Sequence, residues 1–359
     1  MEPPLRNVIK IAAAVFTVAA VSAAATETLA SAPATLPFVP TSISQSAVGI
    51  ADSDIWGMNP ADVNHTFDLM AETGVRTVRI ILPWAAIEPA QGNFDWGQAD
   101  TIVGSANAHR MSVIGSLVSA PGWAVAPGTP PVSSPPASAA VYGDFAGAAA
   151  AHFRGRVDAY EIWNEPNAAQ SWSSGPQGPQ PDVYAGMLKA AYPKIKGADP
   201  HALVVGGVVG AVISFFALTM DPVVFIQKMY AAGAAGSFDA LSYHPYQYTT
   251  KFSQGANLPN SPLNQVNAIY QAMSANGDGG KKIWATEYGE PTSSVDEATQ
   301  ADYLRDFLTK WRSLGFAGPA YIYTTRDRNS GSGAADDTFG LYHSDWTPKP
   351  AQQAVKSLA

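Results

Sequence analysis

The chain has 359 residues, 47% hydrophobic and only 14% charged where about a quarter is usual, which excludes a disordered chain and leaves material for a large core. Twenty-nine Asp and Glu against 21 Lys and Arg give a formal charge of −8 without a long basic run, so nucleic acid and anionic membranes are poor partners. The lack of cysteine removes disulfides, thiolate metal sites and cysteine nucleophiles.

At the N-terminus Arg6 and Lys10 precede an apolar run from Ile11 to Ala25 that ends in small residues. This reads as a secretory signal peptide over 1–25, since the run falls short of the ~20 residues that span a bilayer. The alternative is an uncleaved anchor. Residues 26–44, rich in Ala, Pro, Ser and Thr at their start, read as a linker, and 45–359 as one folded domain. The expectation is an exported monomer with no stable membrane insertion once the peptide is removed.

From residue 45 the chain alternates β-like runs with helix-length stretches. The runs are 46–51, 76–82, 111–117, 157–163, 202–207, 238–244, 281–287 and 319–325. Between them lie segments such as VNHTFDLMAETG, closing on Gly74, and ATQADYLRDFLTKWRSLG, closing on Gly315, where glycine signals a helix stop. Eight strand-helix units in about 250 residues plus insertions predict an α/β fold, the (β/α)₈ TIM barrel. An open doubly wound sheet would favour a glycine-rich phosphate loop after the first strand, and IADSDIWGMNP is not one.

The segments after the strands are long, and in a barrel they build the active-site face. Residues 124–140, 167–181, 247–264 and 327–338 are polar or turn-rich. Residues 211–220 (AVISFFALTM) are apolar instead, and are expected to pack on the barrel as a buried loop or short helix, or else to form a lid or an apolar subsite wall.

Two carboxylates stand where a barrel enzyme would place its chemistry. Glu165 ends the fourth run in YEIWNEPN, and Glu287 ends the seventh in IWATEYGEP, so both should project from the same rim. A carboxyl pair across a cleft is what glycoside hydrolysis needs, one group protonating the leaving oxygen and the other meeting the anomeric carbon. Asn164 could donate to a sugar 2-hydroxyl, and Arg79 could pair with Glu287. His244 and Tyr246, in SYHPY, could bond a carboxylate or a sugar. Glu290 is expected at the surface or capping a helix, Glu161 inside as a structural carboxylate, and Glu88 in a turn. Trp56, Trp84, Trp123 and Trp172 fall near strand ends, where an aromatic face can stack on a sugar. The remaining histidines lack ligand spacing, so neither a metal nor a cofactor is expected, and no G-x-S-x-G elbow is present.

These motifs carry a resemblance. W-N-E-P after strand four, H-P-Y after strand six and W-A-T-E-Y-G after strand seven resemble the retaining glycoside hydrolases of clan A. The segments 75–96, 117–124 and 339–351 are similar to families 5 and 39 and to bacterial exopolysaccharide endoglycosidases. The likeness covers about residues 45–351. It implies that Glu165 is the acid/base and Glu287 the nucleophile, with Arg79, Asn164, His244 and Tyr246 in support. Many clan members floor the reacting-sugar subsite with a Trp at the end of strand eight; this chain reads AYIYTTRD, and Tyr323 is the stand-in. The implied partner is a polysaccharide or oligosaccharide, cut more readily within a chain than at its end. Two rivals are a transglycosylase using the same residues and a binding-only envelope protein on a barrel scaffold.

Overall fold

The computed structural model describes residues 43–248 and 250–359. The expected signal peptide, and the linker up to residue 42, lie outside the described residues. Eight strands form in the predicted runs: β1 (Val48–Ala51), β2 (Thr77–Pro83), β3 (Ser112–Val118), β4 (Ala159–Ile162), β5 (Leu203–Gly210), β6 (Ala240–His244), β7 (Ile283–Tyr288) and β8 (Ala317–Tyr323). They pair in parallel in sequence order, and β8 pairs back onto β1, which closes a single (β/α)₈ barrel.

Strand alternation decides what each residue does. On β2, Val78, Ile80 and Leu82 face outward into the large core under the helices, while Thr77, Arg79 and Ile81 alternate with them. A smaller core fills the barrel itself, built from Ala51, Ile114, Ala159, Val205, Ala240, Trp284 and Tyr321. Both faces are therefore buried, which explains the near-continuous apolar runs.

The surrounding helices are α1 (Pro60–Glu72), α2 (Trp84–Ile87), α3 (Gly97–Ala108), α4 (Ala139–His152), α5 (Pro181–Ala198), α6 (Pro222–Ala231), α7 (Pro262–Ala275), α8 (Glu297–Arg312) and α9 (Pro350–Lys356). Their starts follow local chemistry. Asn59, Asp221 and Ser261 each accept a backbone N–H of the first turn, with proline just inside. After α1, Gly74 takes φ 82°, the left-handed conformation expected of a helix stop. Among the described residues no helix is long and apolar enough to cross a membrane.

Residues 211–220 depart from expectation. They form an exposed hairpin, with Phe215 and Thr219 paired across it and Phe216 91% exposed at its tip. Only its two ends, Ala211 and Met220, pack against the core, and none of its residues lines the cleft. The hairpin is held by backbone bonds to the loop after β4, Ala169 N–H to Leu218 O at 2.7 Å, while Ile213, Phe216 and Leu218 are exposed.

Candidate active site

Arg79 organises the top of the barrel. Its position on β2 aims the guanidinium inward, where Nε donates to Glu161 Oε2 at 2.5 Å and Nη1 to Glu287 Oε1 at 2.6 Å. The third arm, Nη2, donates to Asn164 Oδ1 at 2.8 Å. Burial by itself would lower the Arg79 pKa, but Glu161 and then Glu287 outweigh it and hold the group charged. Asn164 thus spends its oxygen on Arg79, and its amide N–H₂ is the end that can reach a sugar. Tyr246 donates to the other oxygen of Glu287, at 2.9 Å. A register shift in the β7–β8 pairing lets Glu287 face the cleft while Tyr288 packs into the outer core.

Glu165 is placed by an unusual backbone. Trp163 and Glu165 take φ 69° and 43°, a region that L-residues rarely adopt, and Glu165 N–H is fixed to Val208 O at 2.9 Å. The carboxyl group lies directly over Gly210, where a Cβ would come within 2.8 Å of Oε1. His244 Nδ1 stands 3.1 Å from Glu165 Oε1 and 3.8 Å from Glu287 Oε2. Its Nε2 is 3.0 Å from Thr286 Oγ1, itself 2.5 Å from Ser242 Oγ. Burial pulls the His244 pKa down, yet the charge of Glu287 and the bond to Glu165 leave it above the ordinary histidine value. One nitrogen therefore neighbours both carboxylates. Unless the three atoms are nearly collinear, the carboxylates stand closer than the ~6.5 Å at which the inverting range begins.

The cleft above them has a volume of about 620 Å³. Tyr323 lines it, as expected of a floor residue, with its ring edge-on to Phe339. The sequence reading missed Tyr248, Phe339, Arg328 and Asp336, which line the same space. It also missed Pro130–Ser133 and Gln170, in loops flagged only by their composition. Nothing local distinguishes these residues, because loop geometry brings them in. Among the described residues no group of three or more His, Cys, Asp and Glu side chains is placed to hold a metal.

The tryptophans require correction. Trp84 is wholly buried, stacked on Phe145, and donates Nε1 to Glu88 Oε2 at 2.7 Å. It opens α2, so its side chain turns under the helices rather than into the cleft. Trp172 is wholly buried too, edge-on to Trp163 and Tyr184. Trp123 is half-buried, bonded to the Glu88 carbonyl and set edge-on against Trp84. None of the three lines the cleft. Glu88 holds its turn, accepting Gly92 N–H at 2.7 Å. Glu290 is not at the surface: the turn after β7 buries it with neither carboxyl oxygen hydrogen-bonded, and burial pushes its pKa up to about 8.

The comparisons agree with this geometry. The family model Cellulase (glycosyl hydrolase family 5) matches residues 35–317. A family 39 glycoside hydrolase from Bacteroides cellulosilyticus WH2 superposes with TM-score 0.69 at 22% identity, over 89% of this chain and 65% of that one. GH5_18 from Streptomyces cattleya, solved in complex with GlcNAc, gives 0.68 at 13% identity, over 89% and 80%. A monomeric beta-xylosidase from Caulobacter crescentus CB15 gives 0.62 at 19% identity, over 89% and 68%. At such identities these structures speak for the barrel alone. No curated protein matches the chain. The family model spans most of the chain, which sets a binding-only scaffold aside. The chain belongs to glycosyl hydrolase family 5 and is a retaining glycoside hydrolase of clan A.

Proposed function

We propose that the protein is a secreted, monomeric enzyme that cuts within a polysaccharide or cell-envelope glycan, using Glu287 as nucleophile and Glu165 as acid/base. Glu287 attacks the anomeric carbon as the glycosidic bond breaks, and Glu165 passes its proton to the departing oxygen. Water then opens the Glu287–sugar ester, giving its proton to Glu165 and restoring both groups.

The observation that carries this reading is the division of partners between the two carboxylates. Glu287 receives two donors, Arg79 and Tyr246, which suit an anion that must attack. Glu165 shares its hydrogen bond with His244 alone among the described residues. Arg79 bonds Glu161 and Glu287 but, among the described residues, no oxygen of Glu165, so Glu287 alone of the pair is tied to the guanidinium. Burial lowers the His244 pKa, but Glu287 and Glu165 hold it above the ordinary histidine value, so its Nδ1 stands beside Glu165 as a donor. Cutting within a chain is supported by the size of the cleft and its long flanking loops. Export is supported by the character of residues 1–25.

The test is reducing-end release from plant, microbial and envelope polysaccharides by the wild type and Glu287→Ala side by side. Release by the wild type alone is expected. Release by both would remove Glu287 from the chemistry, and sugar monomers as sole products would overturn internal cutting.

A further inference from the structure

The hairpin at 211–220 takes no part in the chemistry described so far, yet it starts beside Glu165. It follows directly on Gly210, the last residue of β5, over which the Glu165 carboxyl group lies. The buried Asn167 clamps both of its ends. Its Oδ1 accepts Gly210 N–H at 2.9 Å, and its Nδ2 donates to Gly210 O and Met220 O at 2.9 and 3.0 Å. Within the hairpin Thr219 Oγ1 donates to Ile213 O at 2.7 Å. The loop after β4 supports it at Gly178, where a Cβ would come within 2.6 Å of Ala217 O. The tip is therefore a fixed projection.

Its outer face is apolar. Ile213, Phe216 and Leu218 are exposed, and the Phe215 ring meets that of Phe216 edge-on at 4.8 Å. Phe216 takes φ 47°, the left-handed region where glycine or asparagine is the less costly residue. Within one molecule a phenylalanine there gains nothing from its backbone and nothing from burial. Charge is excluded from the same sector. The loops after β3 (119–138) and β4 (166–180) and the hairpin after β5 contain no Asp, Glu, Lys or Arg. They form one surface, the first two being joined by Ser173 N–H to Ser133 O at 2.9 Å. The opposite rim carries Asp54 after β1 and Arg326, Arg328 and Asp336 after β8.

We infer that the hairpin and the uncharged rim beside it seat the enzyme on a neutral lipid surface, with the Phe216 ring entering the apolar layer. The inference deepens the envelope-glycan reading and rests on it, making the substrate a glycan anchored at a lipid layer. Charged groups pressed against lipid lose their water at a cost, and this sector has none to strip. Ile213 and Leu218 bring no polar atom to meet a hydroxyl, so lipid suits the patch better than a sugar chain does. A net charge of −8 disfavours an anionic surface, which leaves a neutral one. The hairpin rises on the Glu165 side, where a general acid meets the departing oxygen, so the leaving group is the part that stays with the lipid. A patch of this size gives reversible attachment, unlike a membrane span.

The experiment floats the mature chain with phosphatidylcholine vesicles, for the wild type, Phe216→Asp, Phe216→Leu and Glu287→Ala. Thermal melting shows that the variants are folded. Partition of the wild type onto vesicles should fall about tenfold in Phe216→Asp and hold within about twofold in Phe216→Leu. It should persist in about 1 M NaCl, because no ion pair is used, and weaken as phosphatidylglycerol replaces part of the phosphatidylcholine. Glu287→Ala should bind as the wild type does, so attachment is read apart from catalysis. No partition of the wild type, or equal partition of Phe216→Asp, would overturn the inference and leave the glycosidase reading standing. A wild-type dimer that Phe216→Asp dissolves, seen by analytical ultracentrifugation in the absence of vesicle binding, would overturn it in favour of a second copy. Vesicle binding without release from any envelope glycan would instead overturn the envelope-glycan reading, and with it the placing of the leaving group at the lipid.

Discussion

Two levels of the barrel interior, one inward position apart along the same strands, are made of different materials. The lower level carries Thr77, Ile114, Ala159 and Tyr321; its visible polar link is Thr77 Oγ1 to Tyr321 OH at 2.8 Å. The upper level carries Arg79, Ser116, Glu161 and Tyr323 on those four strands, and His244 on β6. The lower residues fill space and hold the ring of strands together. The upper ones stand beneath the loops, where a charge can be shared with substrate. Arg79 links the two purposes, because the same guanidinium pairs with the buried Glu161 and with Glu287 at the cleft.

That link is the place to break the contrast first. Arg79→Ala would strand Glu161, whose Oε1 already lacks a hydrogen-bond partner, and release Glu287. We expect a loss of about 3–5 kcal/mol in denaturant unfolding together with loss of turnover. Stability kept while activity vanishes would show that Glu161 does not depend on Arg79.

Glu290, three residues past Glu287, tests what burial without partners does. Its native pKa of about 8 against an ordinary 4.5 means the folded chain keeps a proton that the unfolded chain releases. Stability should therefore decline from pH 4.5 to 8, by up to about 1.4 kcal/mol per pH unit from this group. Glu290→Gln should flatten that slope, so its melting temperature gains on the wild type as pH rises. Parallel melting curves across that window would contradict the account.

Gly210→Ala sharpens the upper level. The added methyl group would press on Glu165 Oε1, and kcat should fall about 10–100-fold with little change in melting temperature. The smallest effect belongs to the lower level. Tyr321→Phe should cost about 1 kcal/mol of stability and leave kcat unchanged. A large loss of kcat there would mean that the levels are not separable.

The barrel and the cluster of side chains at its rim were legible in the sequence because both are local in strands. All eight strands lie in or beside their expected runs, and Glu165, Glu287, Arg79, His244 and Tyr246 come together as a set. A residue near the end of a strand has few directions in which to point. The tryptophans were misplaced for the opposite reason: proximity to a strand end does not say on which side of a short helix a ring lies. Trp84 shows this, since starting α2 carries it under the helices. Arg328 and Phe339 were invisible because they reach the cleft only through the path of the loop after β8. Lys349 and Gly340 N–H, both bonded to the buried Asp327, help fix that loop. The hairpin at 211–220 failed a rule of thumb, apolar meaning buried, that short loops need not obey.

The central claim is that Glu287 bonds to the sugar. It is tested most directly by incubating the protein with 2-deoxy-2-fluoro glycosides bearing a good leaving group, then mapping the modified peptide by mass spectrometry. One added glycosyl unit on Glu287, absent in Glu287→Ala, is the predicted result. A label on Glu290 or Glu165, or turnover without any label and with inverted product by NMR, would contradict it.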